Sequence, residues 1–324
     1  MSGFKKIVIL ISLGLLLTGC GKKKDEFGGL EESFTTASIE SSTEQPIEII
    51  EDSEGVTETQ GEPVAVLEEP VINKLDLSTY FENRNGAAVF YNPKNQTYYI
   101  YNEELANERR SPCSTFKIIS SIAGLEAGVI NPDYSLRAWS GEQFWNSDWN
   151  RDIGFDEAFR TSCIWYFREV INEIGRDRMK IELELLQYGN CDSSDWEGRE
   201  NTNNNDRALT GFWVESSLRI SPIEQTQVLE RIFGDDSYYS EKNLELLKDA
   251  MLIDQDTNNY KIYGKTGMGV KNGVTIDAWF VGMVVKESSP VYFSIYLGKS
   301  ENQDVSSAVA REIAISLIHD YNFD

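Results

Sequence analysis

A single histidine, His319, is the only imidazole in this 324-residue chain, and it stands near the carboxyl end. A serine hydrolase of the Ser-His-Asp kind needs an imidazole to take the proton of its nucleophile, so a histidine base is not expected. Metal catalysis falls with it, since there is no His-Glu-x-x-His helix and no cluster of Cys and His at ligand spacing. Cations are short as well: 30 Lys and Arg stand against 53 Asp and Glu, for a net charge of -23. Binding a phosphate backbone requires clustered cations, so nucleic acid is not an expected partner. Long apolar runs are also missing. The most pronounced one, Ile7 to Leu17, is too short for a comfortable membrane span. No internal repeat is evident.

What the chain does have begins at its amino end. Lys5 and Lys6 precede the apolar run, and Leu17-Thr18-Gly19-Cys20 has the form of a lipoprotein processing site. Residues 1–20 therefore read as a lipoprotein signal peptide, with Cys20 as the lipidated residue. From Gly21 to Ile72 the composition is rich in Ser, Thr and Glu with hardly an aromatic, which describes a disordered, self-repelling tether. Residues 73–324 remain, long enough for one domain with a buried core. The expected location is the extracytoplasmic face of a bacterial membrane, with the lipid on Cys20 as anchor. The oligomeric state is not legible.

Within that domain, Gly86 to Tyr91 and Gln96 to Tyr101 read as strands, followed by mostly helical segments to Phe233. Ile262, Tyr263 and Val270 then lead to Asn272-Gly273, a favoured hairpin pair, and Val274 to Val281 supplies the returning strand. A strand at Val291 to Leu297 and a helix from Val305 to Tyr321 close the chain. Strands at both ends of a helical middle predict an α/β fold of the α+β type. Its antiparallel sheet would be flanked by terminal helices, with an inserted all-helical lobe and the site between sheet and lobe.

Chemistry concentrates at Ser114-Thr115-Phe116-Lys117. Positions i and i+3 share a helix face, so a hydroxyl and an amine stand one turn apart. Ser111-Pro112 upstream reads as an N-cap followed by proline in the first turn, which puts the Ser114 N–H at the positive end of a helix, where it can hold an oxyanion. The same pattern at Ser2-Gly3-Phe4-Lys5 lies in the segment expected to be removed. Lys117 can act as base only if burial lowers its pKa. Phe116, Ile118, Ile119, Ile122 and Leu125 make the helix apolar enough for that. Two further elements join it, Ser162-Cys163-Ile164 and Lys265-Thr266-Gly267. The latter is expected on an edge strand where an acyl substrate lies, with Gly267 keeping the path clear.

The stretch Ser111-Pro112-Cys113-Ser114-Thr115-Phe116-Lys117-Ile118 through Gly124-Leu125-Glu126 resembles the nucleophile helix of class D serine β-lactamases. Ser162-Cys163-Ile164, Tyr188-Gly189-Asn190, Phe212-Trp213 with Leu218-Arg219-Ile220-Ser221, and Lys265-Thr266-Gly267 follow in the family's order. The resemblance runs over about residues 74 to 322. It implies a penicillinase-type hydrolase acting on small β-lactams and conferring resistance to them, with Ser114 acylated. The oxyanion would rest on the N–H groups of Ser114 and Met268. It implies no metal and no cofactor except carbon dioxide or bicarbonate, which carboxylates Lys117. Phe116, Ile164, Phe167 and Val214 would keep that pocket dry, and Trp213 would donate its indole N–H. Ser162 would pass a proton to the leaving nitrogen beside Lys265, Thr266 and Arg311 would bind the substrate carboxylate, and Tyr188-Gly189-Asn190 would be architectural.

The stretches Ile164-Trp165-Tyr166-Phe167 and Trp213 to Leu218 also resemble the sensor domains of β-lactam signal transducers. A slowly deacylating receptor is therefore the rival reading, although the spanning segments and signalling domain of a transducer are not expected here. A D,D-peptidase is a third, less suited to the apolar Ile164. Two departures from the family stand out: Ile164 replaces the usual valine, and an insertion from Cys191 to Leu209, with a polar run Asn201 to Asp206, sets Trp213 further along. Cys113 adjoins Ser114 and Cys163 adjoins Ser162. If both serines face one cleft, a Cys113–Cys163 disulfide is expected, with Cys191 free.

Overall fold

The computed structural model describes residues 69–323 except 205, 256–259, 288 and 301–304. The signal peptide, Cys20 and the tether as far as residue 68 lie outside the described residues. Seven strands form one sheet in the order β1-β3-β2-β7-β6-β5-β4. They are β1 (Val71–Lys74), β2 (Gly86–Asn92), β3 (Thr97–Tyr101), β4 (Leu252–Gln255), β5 (Tyr260–Lys271), β6 (Val274–Lys286) and β7 (Ser289–Gly298). Aromatic and β-branched residues make up all of β3 and half of β7, in line with strand propensity. β2 and β7 are buried along nearly their whole length because helices cover both faces of the sheet.

The sheet is mixed, which corrects the antiparallel expectation: β1 runs parallel to β3 while every other pair is antiparallel. β1 also takes in Val71 and Ile72, the expected end of the tether. Both residues are about half exposed, 54% and 50%, so the strand is held by its backbone ladder and leaves little mark in an apolar pattern. Asn272 and Gly273 both have positive φ, 52° and 75°, as a hairpin turn of the I′ kind demands.

One face of the sheet carries α1 (Ser78–Phe81) and α9 (Ser307–Asp320), which enclose a core of Leu77, Phe81, Phe90, Phe280, Phe293 and Leu317. On the other face lie α2 (Glu103–Ala106), α3 (Lys117–Glu126), α4 (Phe155–Arg160), α5 (Ile164–Ile174), α6 (Arg176–Leu185), α7 (Pro222–Phe233) and α8 (Glu241–Met251). They share a larger core built on Phe116, Phe167, Trp213 and Trp279. α7 starts with a full capping box: the Glu224 N–H donates to Ser221 Oγ, Glu224 Oε2 accepts the Ser221 N–H, and Pro222 occupies the first turn. The fold is the α+β arrangement expected, with α8 and β4 added.

Candidate active site

The turn that carries Ser114 is built differently from the expected N-cap. A short 3-10 turn, Cys113–Phe116, leads into α3, and Ser111 caps nothing. Its hydroxyl instead donates to the Trp213 carbonyl at 3.3 Å and accepts the Glu215 N–H at 2.8 Å. The Trp213 carbonyl also takes the Cys113 N–H at 3.0 Å, and the Ser111 carbonyl takes the Trp279 indole N–H at 2.9 Å. These bonds tie the turn to the lobe and the sheet at once. Cys113 is forced to φ 49°, a left-handed conformation that a non-glycine residue adopts only when its surroundings over-determine it.

Ser114 and Lys117 are brought together as their spacing predicts. The Lys117 amine, 1% exposed, donates to Ser114 Oγ at 3.0 Å and lies 5.5 Å from the centre of the Phe167 ring. Burial pushes its pKa down to about 8. Lys265, 4% exposed, donates to Ser162 Oγ at 2.7 Å and to the Thr266 carbonyl at 3.0 Å, with the Phe159 ring 5.7 Å away. Burial, and then the charge of Lys117, push it well below the usual lysine range. Ser162 sits between α4 and α5 at φ 61°, so both serines follow or occupy strained backbone.

Of the expected pocket residues, Phe116 and Phe167 are fully buried, while Ile164 and Val214 are half-buried and pack on the same core. Trp213 is 1% exposed and stacks on Phe116, 5.9 Å between ring centres at 27°. The indole N–H groups of Trp149, Trp165 and Trp279 all bond to carbonyls, whereas that of Trp213 has no partner among the described residues. The inserted segment is part of the wall. Trp196 stacks on Phe212 at 5.2 Å, and Asn201, buried, donates to the Val214 carbonyl at 3.1 Å. A side chain at Gly211 would put Cβ 2.1 Å from the Trp213 ring, so only glycine lets the tryptophan turn inward here.

β4 pairs with β5 only opposite 261–263, so the Lys265-Thr266-Gly267 stretch has an open edge, as expected. Glycine at 267 also meets a packing requirement. A Cβ there would lie 2.9 Å from both the Pro112 carbonyl oxygen and Thr115 Cγ2; the residue lets β5 press against the nucleophile turn. Met268 follows at the rim, 44% exposed. Thr266 and Arg311 line one cavity of about 420 Å³, and with Lys265, Phe159 and Arg160 they line a second of about 240 Å³.

Tyr188-Gly189-Asn190 is architectural in its contacts. Tyr188 lies edge-on to Phe116 at 5.4 Å, and Asn190 holds the Ser217 carbonyl and the Arg219 N–H. Gly189 has φ 53°, and a Cβ there would meet the Arg219 oxygen at 1.9 Å. The expected Cys113–Cys163 disulfide is not formed; Cys113, Cys163 and Cys191 are all free thiols. Cys113 Sγ donates to Ser111 Oγ at 3.6 Å and lies against Gly269. The Cys163 thiol instead faces the N–H groups of Trp165 and Tyr166 at the start of α5. Adjacent serines thus do not bring adjacent cysteines together, because successive side chains leave a turn in different directions.

Two contributors escaped the sequence reading. Phe159 supports Lys265, and Glu215 joins the lobe to β5 by accepting the Val270 N–H. A glutamate two residues after the expected indole donor was the available signal for the second. The first had none, since a phenylalanine on the buried face of a helix reads as core.

The penicillin binding protein transpeptidase domain family matches residues 83–319. The chain is 31% identical to the regulatory protein BlaR1 of Bacillus licheniformis over 75% of its own length but only 38% of that protein. It is 30% identical to the probable beta-lactamase YbxI of Bacillus subtilis over 77% of itself and 86% of that protein. Among solved structures, the class D beta-lactamase of Bacillus subtilis superimposes with a TM-score of 0.66 at 28% identity, covering 76% of this chain and 95% of that one. The C-terminal domain of the Bacillus licheniformis BlaR penicillin-receptor does so with a TM-score of 0.68 at 30% identity, covering 78% and 97%. The chain therefore belongs to the penicillin-binding transpeptidase-domain family, in the branch that holds both class D β-lactamases and BlaR-type sensor domains.

Proposed function

We propose that this chain is a class D β-lactamase that opens penicillin-type substrates through an acyl-enzyme on Ser114. The observation that carries the reading is the buried Lys117 amine, 3.0 Å from Ser114 Oγ and depressed by burial toward its neutral form. Ser114 Oγ attacks the lactam carbonyl as its proton passes to Lys117. The backbone N–H groups of Ser114 and Met268 hold the oxyanion. When the C–N bond breaks, Ser162 hands a proton to the leaving nitrogen and Lys265, 2.7 Å away, restores it. Thr266 and Arg311, which share a cavity, bind the substrate carboxylate. Water then cleaves the ester and frees Ser114.

The surroundings of Lys117 fit a carboxylated amine. Apolar walls favour the neutral amine that attacks carbon dioxide, the Trp213 N–H is an unused donor, and the neighbouring Lys265 can balance a negative charge. Such a carbamate supplies a base for both acylation and deacylation. Phe116, Ile164, Phe167 and Val214 exclude water from it.

A slowly deacylating receptor is the second reading, favoured by the equal likeness to the BlaR sensor domain. Turnover of a chromogenic cephalosporin separates the two: sustained hydrolysis supports the enzyme, and a burst of one equivalent that then stops supports the receptor. Lipid attachment at Cys20 and an extracytoplasmic location complete the proposal. A Cys20→Ser variant that stays in the membrane fraction would count against that anchor.

A further inference from the structure

The ladder between β5 and β6 slips immediately after the expected oxyanion strand. Gly269 pairs with Asp277 but Val270 pairs with Thr275, a bulge one residue beyond Met268. The extra residue, Ile276, lies on β6; opposite it on β5, the Val270 N–H is taken by Glu215 Oε1 at 2.5 Å. Glu215 is itself a strained residue, with φ 51°, and its N–H is fixed on Ser111 Oγ. Its second carboxylate oxygen accepts Asn203 Nδ2 at 2.9 Å, and Asn203 Oδ1 accepts the Asn272 N–H at 3.3 Å. Asn203 belongs to the polar run of the insertion, so the inserted loop reaches both Glu215 and the hairpin tip.

We infer that Glu215, latched by Asn203, is a positioning residue that fixes the Gly267–Met268 segment of β5 against the Ser114 turn. Two contacts argue for a mechanical link. Glu215 Oε1 and Cys113 Sγ both stand 3.1 Å from the place where a Cβ would project at Gly269, and Gly267 packs on Pro112 and Thr115. One carboxylate therefore spans from the residue before the nucleophile to the strand carrying the second oxyanion donor. An ionised acceptor makes a stronger bond to a backbone N–H than a neutral one. Removing it leaves the Val270 N–H without its acceptor and unties β5 from the Ser111 hydroxyl, which lets the Gly267–Met268 segment shift away from the Ser114 turn.

This inference rests on the acyl-enzyme reading, and the experiment keeps the two apart. Acylation rates by stopped flow, and affinity for benzeneboronic acid, are measured in the wild-type domain and in Glu215→Gln, Glu215→Ala and Asn203→Ala. The boronate adduct places an oxygen where the oxyanion forms, so its affinity reads the donors without turnover. Loss of a whole oxyanion donor costs about 100- to 1,000-fold; a displaced one is expected to cost about 10-fold in both readouts in Glu215→Ala. Glu215→Gln, which keeps an acceptor for Val270, should stay within about threefold. Asn203→Ala should lower both modestly, with its thermal midpoint unchanged, and it decides the matter if Glu215→Ala does not fold. Unchanged acylation and boronate affinity in Glu215→Ala, or in Asn203→Ala where that variant decides, would overturn the inference. So would a Gln variant as impaired as Ala. A wild-type domain that is never acylated at Ser114 would instead refute the proposed function.

Discussion

Lys117 and Lys265 stand close enough that the charge of one lowers the proton affinity of the other. Each amine serves a different serine, at 3.0 and 2.7 Å, and each lies over an aromatic ring. Among the described residues no carboxylate offsets either charge. Two unpaired ammonium ions are costly in such a site, so the arrangement favours at least one neutral amine. A base for Ser114 needs that, and so does an amine open to carbon dioxide.

Intact-mass measurement with a slowly turned-over β-lactam is expected to find one covalent adduct, mapped to Ser114. Ser114→Ala should lose the adduct and at least about a thousandfold in turnover, as removal of a nucleophile does elsewhere. An adduct on any other residue would exclude the assignment.

The depressed pKa of Lys117 has a sign that urea unfolding can check. The unfolded amine titrates near its ordinary 10.5 and the folded one at about 8, so between those values the unfolded chain holds more protons and stability rises with pH. Below about pH 8 both states are protonated and the buried ammonium costs stability. In degassed buffer at about pH 7, Lys117→Met is expected to be more stable by roughly 1–3 kcal/mol while losing turnover. The gain should vanish near pH 10. Added bicarbonate should raise the rate of degassed wild-type enzyme about a hundredfold, the low end of the usual range for a general base; no response would make Lys117 a plain amine.

Gly267→Ala puts a methyl group 2.9 Å from the Pro112 oxygen and Thr115 Cγ2. Overpacking of this kind costs about 1–3 kcal/mol, and here it also drives β5 away from Ser114. Thermal melting and kcat should fall together. A variant with unchanged kcat would show that the strand tolerates displacement.

Arg311→Gln should raise KM for carboxylate-bearing substrates about tenfold with kcat nearly kept, the pattern of lost uniform binding. The comparison is with a substrate esterified at that carboxylate, for which wild type and variant should be alike. Equal KM values for the free acid would remove Arg311 from the site.

Thiol titration of the domain should count Cys113, Cys163 and Cys191 as free after denaturation. In the folded protein Cys191, partly exposed, should react first, because burial raises the pKa of Cys113 and Cys163 and hides their sulfurs. A cross-linked peptide of Cys113 and Cys163 would contradict the structure.

The sequence by itself determined the chemistry that depends on local spacing. Ser114 and Lys117 face each other because helical geometry puts i and i+3 on one side. The Asn272-Gly273 turn specified its hairpin because it needs positive φ at two successive residues. Ordered motifs specified the family and the α+β fold. Tertiary structure decided whatever depends on direction or long-range pairing. β1 was hidden because its ladder is backbone and its side chains stay in water. Ser111 left its expected capping role because Trp213 and Glu215, about a hundred residues on, offered better partners. Gly267 lets β5 press against the Ser114 turn across the cleft. The thiols beside the two serines point to separate neighbours, and the insertion that sets Trp213 further along the chain forms part of the wall around it. Contacts of that range rest on where folded elements meet, which no local periodicity encodes.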